Sequence, residues 1–217
     1  DIIMARLIKN ETVELFGKNA TVPFINGCDN SYHPCQILAD ALTILEKFGT
    51  LDVNLMYIGA KNNVFNSHVE FFSKMKKGTL YGLTPLVNET ACGPDFYEEA
   101  KKSGHYIELD PSMSMEEAKE YANKMDVLYT DTWVDMEFFN NPAYQKQKEE
   151  TLAKMMPYQL NGDFTKDSKA IVFHDMPMHV GFEISQDVVD KNLDHILDEA
   201  ENRRHAEKAV MYTLLNS

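Results

Sequence analysis

The sequence has little cysteine, little positive charge and no long apolar run. Its 217 residues include 3 cysteines and 1 tryptophan. The odd number of cysteines, with no metal-ligand spacing among Cys28, Cys35 and Cys92, favours reduced thiols in the cytoplasm over a disulfide framework. We expect Cys28 and Cys35 to be small buried packing residues, because cysteine is among the most buried residue types.

Charge and hydropathy argue against two classes of partner. The chain has 21 basic and 34 acidic residues, a net charge of −13. Nucleic acid is therefore not an expected partner, because phosphate contacts need clustered cations. A membrane is not expected either, because no segment reaches the run of about 18 apolar residues that a span requires. Residues 1–6 also lack the pattern of a signal peptide. A local basic pocket for a small anion is still compatible with this acidity.

Apolar segments with strand and helix periodicity alternate at intervals of about 20–30 residues. A first strand, helix and strand are predicted over 1–6, 8–18 and 21–25, followed by a turn at Asn26-Gly27. Five further strands are predicted over 51–58, 79–83, 105–109, 126–130 and 170–173. Helices are predicted over 34–49, 64–75, 94–103, 114–124, 151–156 and 199–215. The alternation predicts an α/β fold: a doubly wound, mainly parallel sheet with helices on both faces.

The stretch Tyr32-His33-Pro34-Cys35-Gln36 opens the most clearly marked helix. Proline suits the first helical position, since its missing N–H would have no partner there. Helical spacing then predicts one buried stripe, formed by Ile37, Leu38, Ala41, Leu42 and Leu45. His33 and Gln36 lie beside free backbone N–H groups and the positive end of the helix dipole, a suitable receptor for a small anion. A purely structural helix start with a hydrogen-bonded histidine is the open alternative.

Polar residues follow three of the predicted strands. Asn62 and Asn63 come after the strand at 51–58, Asp131 after the strand at 126–130, and His174 and Asp175 after the strand at 170–173. In parallel α/β sheets, ligands bind beyond the carboxyl ends of the strands. We therefore expect these residues to meet at one rim.

Several motifs carry a family resemblance. His33-Pro34-Cys35-Gln36 with Leu38-Ala39-Asp40, Thr130-Asp131-Thr132-Trp133 with Met136, and 198–203 with His205 occur in the order of the transcarbamylase signatures. Phe173-His174-Asp175-Met176-Pro177 resembles the His-Cys-Leu-Pro segment of that family, and 4–6 and 22–27 resemble the stretch before the histidine motif. The chain thus resembles the aspartate/ornithine carbamoyltransferase family, and the ornithine branch most closely at 62–63 and 131–133.

The resemblance implies transfer of the carbamoyl group of carbamoyl phosphate to the amine of ornithine or a related amino acid or diamine. The implied catalytic residues are Arg6, His33, Gln36, Asp175 and Arg203, and the implied amine-binding residues are Asn63, Asp131, Asp135, Met136 and His174. Guanidinium groups pair with phosphate oxygens, an imidazole stabilises charge on the carbonyl oxygen, and a glutamine oxygen accepts from the carbamoyl nitrogen. We expect no cofactor and no metal.

The resemblance also predicts a division of the chain. Residues 1–32 would be the remnant of a carbamoyl-phosphate-binding domain, 33–190 the amine-binding domain, and 191–217 a helix packing back on the first domain. The Ser-Thr-Arg-Thr-Arg segment that binds phosphate in the family is absent. We therefore expect that a separate polypeptide supplies that half, that the chain is a fragment, or that activity is lost. A homotrimer and a role in arginine metabolism are expected by analogy.

Two departures from the family pattern bear on the substrate. Asp175 stands where the ornithine branch has a cysteine that contacts the reactive amine, and neighbouring carboxylates favour a cationic ligand or raise each other's pKa. Asp135-Met136-Glu137 replaces the Ser-Met-Gly loop, so an acid stands where a serine could bind a substrate carboxylate. The sequence therefore predicts an amine without an α-carboxylate near Asp135, as in a diamine.

Structural roles are the alternatives at the singled-out positions. His174 would be a core histidine, Trp133 a packing residue and Asp131 a cap. Arg203 would pair with Glu199 or Glu207 across one helical turn, and the acids of the 135–137 loop would be solvated. The alternative function is an inactive ligand-binding or regulatory relative that keeps the fold.

Overall fold

The computed structural model describes residues 1–134 and 136–216. Its strands are β1 (Ile3–Arg6), β2 (Phe24–Cys28), β3 (Asn54–Lys61), β4 (Thr79–Val87), β5 (Tyr106–Glu108), β6 (Val127–Thr130) and β7 (Ile171–His174). Its α-helices are α1 (Asn10–Asn19), α2 (Pro34–Phe48), α3 (Asn63–Met75), α4 (Pro94–Lys101), α5 (Met115–Ala122), α6 (Met136–Phe139), α7 (Gln145–Met155), α8 (Gly162–Thr165) and α9 (Gln186–Leu215).

The main sheet has the strand order β5-β4-β3-β6-β7, and its strands pair in parallel within the described ranges. From β3 the chain winds outward through β4 to β5, and then returns to place β6 on the other side of β3. A separate parallel pair, β1 with β2, precedes this sheet. The predicted doubly wound α/β fold is confirmed, and its switch point lies between β3 and β6.

Both faces of the main sheet are covered by helices. Leu55 and Tyr57 of β3 pack in one core with residues of α3 and α4, whereas Met56 and Ile58 pack in another with residues of α5, α8 and α9. Successive side chains of a strand point to opposite faces, so a strand buried on both sides is apolar throughout. This explains why the central strands β3 and β6, which are buried along most of their length, are rich in apolar residues on both faces.

The predicted turn at Asn26-Gly27 is wrong, because both residues lie within β2. Asn26 pairs with Ala5 of β1. A Cβ on Gly27 would lie 3.2 Å from the carbonyl oxygen of Ala5. The glycine therefore permits close approach of two backbones in a strand, rather than a reversal of the chain.

The predicted buried stripe of α2 is partly wrong. Leu38 and Leu45 are 39% and 46% exposed, whereas Gln36, Asp40 and Thr43 are almost fully buried. The polar face of α2 packs inward because α9 presents hydrogen-bonding partners to it, as Asn202 does to Thr43 Oγ1 at 3.0 Å. The apolar side is left beside a groove of about 400 Å³ lined by Leu38, Leu42, Ala206, Ala209, Val210, Thr213 and Leu214.

Helix α9 begins at Gln186, 13 residues before its predicted start at 199. Its amino-terminal part packs on β7 and α8, and its later part packs on α2. Asn192 Oδ1 accepts a hydrogen bond from Val172 N of β7 at 3.0 Å. The polar composition of 186–198 masked this start. The same weakness of apolar periodicity concealed α6 and most of α7 in the predicted polar segment 137–150.

Within the described ranges, no helix is both long and apolar enough to cross a membrane.

Candidate active site

The candidate site lies at the carboxyl ends of β3, β6 and β7. The amino terminus of α2 and the middle of α9 lie beside these strand ends. Asn62 follows β3, Asp131 follows β6 and Asp175 follows β7. His33 is the N-cap of α2. The expectation that these strand ends share one rim is confirmed by the parallel pairing of β3, β6 and β7.

Asn62 and Asp131 form a buried pair across the switch point. Asn62 Nδ2 donates to Asp131 Oδ2 at 2.7 Å, and Asn62 Oδ1 caps α3 by accepting from Phe65 N at 3.0 Å. Asp131 Oδ1 accepts from Thr132 N at 2.6 Å. Burial, reinforced by the charge of Asp175, raises the pKa of Asp131 to about 7. A carboxyl group in this state can bind an ammonium ion and can also take up a proton near neutral pH.

Gln36 is held on both sides of its amide group. Its Nε2 donates to Asp40 Oδ1 and to Glu199 Oε1, both at 2.9 Å. Its Oε1 accepts from Arg203 NH1 at 2.7 Å. The Gln36 amide thus joins α2 to α9 and faces Arg203 with its oxygen.

Asp175 lies between two groups predicted to bind an anion. One carboxylate oxygen is 3.8 Å from His33 Nε2, and the other is 3.7 Å from Arg203 NH1. Both distances exceed that of a direct hydrogen bond. Burial and the Glu199 charge raise the pKa of Asp175 to about 6, although Arg203, His174 and Arg6 oppose the rise.

His33 is a neutral imidazole in this environment. Burial, followed by the charges of Arg203 and Arg6, lowers the pKa of His33 to about 3. Its backbone N–H donates to Ser67 Oγ at 2.7 Å. Its Nδ1 is buried with no hydrogen-bond partner among the described residues. A neutral ring still offers one N–H to a ligand oxygen, so it polarises a carbonyl by hydrogen bonding rather than by a full charge.

His174 lies between two buried glutamates, Glu183 and Glu199. His174 N donates to Glu199 Oε2 at 2.9 Å, and the His174 Nε2 atom is 3.1 Å from Glu183 Oε1. Glu183 Oε1 also accepts from the backbone N–H of His179. Burial lowers the pKa of His174, but the Glu183 hydrogen bond and the surrounding carboxylates outweigh burial and raise it overall.

Other predicted residues lie outside this cluster or outside the described ranges. Asn63 Nδ2 donates to the carbonyl oxygen of Asp29 at 2.7 Å, so its amide binds the loop after β2. Arg6 is exposed at the end of β1, and its charge acts on His33 and Asp175. Asp135 lies outside the described residues. Met136 begins α6, and its side chain is likewise outside the description.

Sequence reasoning missed the roles of three buried groups: Asn62, Asp40 and Glu199. The last two lie four residues from Gln36 and from Arg203, and that spacing places each pair on one helix face. An acidic residue four positions away, on the buried face of the same helix, was the feature of the sequence that could have indicated these roles.

Comparison with known proteins matches two family models to this chain. The Asp/Orn binding domain of aspartate/ornithine carbamoyltransferase matches residues 51–214, and the carbamoyl-P binding domain of the same enzymes matches residues 1–46. The first match includes β3–β7 and α9, which carry most of the residues described above.

The chain belongs to the aspartate/ornithine carbamoyltransferase family.

The relatives indicate the branch of this family. The chain is 36% identical to ornithine carbamoyltransferase of Chlorobaculum tepidum, over 100% of this chain and 61% of that protein. It is 38% identical to the Pyrococcus horikoshii ornithine carbamoyltransferase, over 99% and 66%. The structure of the Pyrococcus furiosus enzyme superimposes with a TM-score of 0.80 at 35% identity, covering 97% of this chain and 65% of that one. The expected ornithine branch is confirmed.

The chain spans 61–66% of the length of the curated relatives named above. The carbamoyl-P binding model matches 46 of its residues, from β1 to near the end of α2.

Proposed function

We propose that this chain supplies the amine-binding half of a carbamoyl-transfer site, together with part of the carbamoyl phosphate site. The supporting observation is the convergence of His33, Gln36, Asp175 and Arg203 beside the Asn62–Asp131 pair. Arg203 and Arg6 would bind phosphate oxygens, and His33 would donate to the carbonyl oxygen. Asn63, His174, Asp135 and Met136 remain predicted contacts of the amine.

The amine would approach from the side of Asp131 and Asp175. An ammonium ion is attracted to the two carboxyl groups and must lose a proton before it can attack. Asp175 would accept that proton. The amine nitrogen then forms a C–N bond to the carbonyl carbon, the C–O bond to phosphate breaks, and phosphate leaves with the electron pair. One of the two protons then left on the attacking nitrogen is released to phosphate or solvent, which gives the neutral ureido product.

The first amine to test is ornithine, because the relatives are named for it. A diamine such as putrescine is the second, since Asp175 adds a carboxylate where the family pattern has a cysteine. We propose that the active assembly is a homotrimer in the cytoplasm, serving arginine metabolism. We further propose that the phosphate-binding Ser-Thr-Arg-Thr-Arg segment reaches the site from a further stretch of polypeptide.

Carbamoyl transfer is tested by incubating the chain with carbamoyl phosphate and either amine, with and without a separately produced first third of the Pyrococcus horikoshii relative. We expect a ureido product, with a rate that rises when the missing part is added. Arg203→Lys should lower kcat/KM at least about tenfold, because lysine cannot pair in a bidentate manner with phosphate.

Arg204→Lys is the matched control. Arg204 is the next residue along α9, is exposed and pairs with Glu201 at 2.6 Å. We expect its kcat/KM to stay within about twofold of the wild type, since exposed ion pairs contribute little. Equal losses in the two variants would contradict the proposed role of Arg203.

A ligand-binding relative without transfer activity is the second candidate. The observation that favours it is Asp175, whose carboxylate lies between His33 and Arg203 and would repel a phosphate dianion when ionised. Binding of either amine without a ureido product in any combination would favour this candidate.

A further inference from the structure

We propose that Asp40 and Glu199 are positioning residues that fix the amide of Gln36, so that only its oxygen faces the ligand. This inference rests on the proposed function for the nature of the ligand. Its structural part concerns the orientation of one amide group, which can be measured without any ligand.

Both hydrogens of the Gln36 amide are donated to buried carboxyl groups. Nε2 donates to Asp40 Oδ1 and Glu199 Oε1 at 2.9 Å each. Both carboxyl groups are fully buried, and Gln36 itself is 2% exposed. An amide NH₂ group has two donors, so this group has none left for a ligand.

The reversed orientation is disfavoured from both sides. A flipped amide would turn its NH₂ group toward the Arg203 guanidinium, which is itself a pure donor. It would also turn its oxygen toward two carboxyl groups. The observed orientation instead meets Arg203 with an acceptor, at 2.7 Å from NH1. The guanidinium donor of Arg203 on one side and the acceptor oxygens of Asp40 and Glu199 on the other therefore define one orientation.

The two carboxyl groups are themselves held by other elements. Glu199 Oε2 accepts from His174 N at 2.9 Å, and Asp40 Oδ2 is 3.2 Å from Nε2 of the buried His68. His68 Nδ1 is 3.0 Å from the carbonyl oxygen of Val64, which makes Nδ1 the donor and Nε2 an acceptor, so a proton on Asp40 Oδ2 is needed to complete the contact with Nε2. Burial raises the pKa of Asp40 to about 8 and that of Glu199 well above its usual range, so the pair retains a proton at neutral pH.

The consequence is selection for ligands that carry an N–H beside the reacting carbonyl. Gln36 Oε1 has a second lone pair after accepting from Arg203, and only a donor can use it. A carbamoyl group has such an N–H, whereas an acetyl group has a methyl in its place. The site would therefore favour carbamoyl over acetyl through an acceptor that Asp40 and Glu199 keep in place.

Side-chain amide NMR tests the orientation in the 217-residue chain without ligand. The Gln36 NH₂ resonances are identified by their loss in Gln36→Glu. We expect hydrogen exchange at this NH₂ group at least about a hundredfold slower than at Gln186, whose NH₂ group has an exposed hydrogen bond to Asp190. Exchange as fast as that of Gln186 would overturn the proposal in the wild-type protein itself.

Glu199→Gln is the informative variant, and Glu201→Gln, two residues further on the exposed side of α9, is its matched control. With folding checked by circular dichroism, we expect at least tenfold faster exchange of the Gln36 NH₂ group in Glu199→Gln and no change in Glu201→Gln. Unchanged protection in a folded Glu199→Gln protein would remove Glu199 from the proposal. Asp40→Asn tests the other carboxyl group in the same way.

The ligand part is tested by calorimetry with phosphonoacetamide and its methyl analogue acetonylphosphonate. We expect the wild type to bind phosphonoacetamide about tenfold more tightly, the value of one hydrogen bond to an otherwise unpaired acceptor. Glu199→Gln should reduce this ratio to about threefold or less. Equal binding of the two probes by the wild type would overturn the acceptor role. If neither probe binds while the exchange protection is present, the proposed function fails and the positioning of Gln36 stands.

Discussion

At the scale of single residues, the site places a cation beside a carboxyl group in a partly buried position, with the side chains of Arg203 and Asp175 29% and 12% exposed. Asp175 lies between His33 and Arg203, with one carboxylate oxygen within 4 Å of each. Burial of a carboxyl group without a close hydrogen-bonded partner costs folding free energy, because the ionised form loses its hydration. Such a residue persists where it has a use in binding or in proton transfer.

Asp175→Asn is expected to stabilise the chain above pH 6. The pKa of Asp175 is about 6 in the folded protein against a usual value of 3.8. The folded state therefore binds this proton more tightly than the unfolded state, and the associated stability is present at low pH and lost as pH rises from about 4 to 6. Removing the ionisable group should add on the order of 2–3 kcal/mol at pH 8 and little at pH 4.

Urea unfolding at both pH values measures this difference, with Asp167→Asn as an exposed control. A loss of stability in Asp175→Asn that is equal at pH 4 and pH 8 would show that its packing, and not its charge, dominates. The same variant should bind putrescine more weakly, since it removes a negative charge beside the amine.

The sequence predicts the residues that face the ligand but not the buried carboxyl groups, Asp40 and Glu199, that bind Gln36. His33, Gln36, Asp131, Asp175 and Arg203 were readable because each stands in a motif or directly after a strand. The hydrogen-bonding roles of the buried carboxyl groups depend on which face of α2 turns inward. That choice is made by the packing of α9, which is far away in the sequence, and so it could not be read from α2.

At the scale of elements, strands and capped helices were predictable where local chemistry decides the structure. Ser114 and Glu117 form a capping box at the start of α5, which lies within the predicted helix 114–124, with Glu117 N donating to Ser114 Oγ at 3.2 Å. The start of α9 was not predictable in this way, because Ser185 makes no side-chain cap bond there. Tertiary contacts, including the Asn192 bond to β7, hold that part of the helix instead.

The turn before β4 requires glycine at position 78. Gly78 has a φ of +65°, and a Cβ there would lie 2.2 Å from the carbonyl oxygen of Val53. Gly78→Ala should therefore cost more than about 3 kcal/mol of unfolding free energy, because left-handed strain and a backbone clash combine.

Gly104→Ala separates the two causes. Gly104 has a similar φ of +77°, but no atom lies within 4 Å of a Cβ built there. We expect a loss of only about 1 kcal/mol, from the left-handed conformation by itself. Denaturant unfolding of both variants compares them directly, and equal losses would contradict the clash at Gly78.

At the scale of the whole molecule, α9 packs on both the main sheet and α2. Its 30 residues extend about 45 Å. It is tied to β7 through Asn192 and to α2 through Asn202. The main sheet and the segment that carries α2 therefore share one long helix, in addition to the contacts between α2 and α3.

Ala200→Pro should lower the unfolding free energy much more than a proline at the start of the same helix. Ala200 is exposed in the middle of α9, so the substitution removes a helical hydrogen bond without changing the core, at a cost of at least about 3 kcal/mol. Gln186→Pro is the control, because residue 186 is the first helical position and Ser185 already has an extended conformation.

Thermal unfolding measures both proline variants. We expect a single transition at lower temperature for Ala200→Pro and a change of less than about 1 kcal/mol for Gln186→Pro. An unchanged melting curve in Ala200→Pro would mean that the middle of α9 contributes little to the stability of the fold.

The assembled site depends on the docking of α9 onto α2. Glu199 and Arg203 lie on the part of the helix that packs on α2, so each local undocking of that part would take a carboxyl group and a guanidinium group away from Gln36 at once. The site would then be lost as a unit rather than residue by residue. Its population in solution therefore depends on the free energy of undocking one helix, which backbone amide exchange along α9 would report.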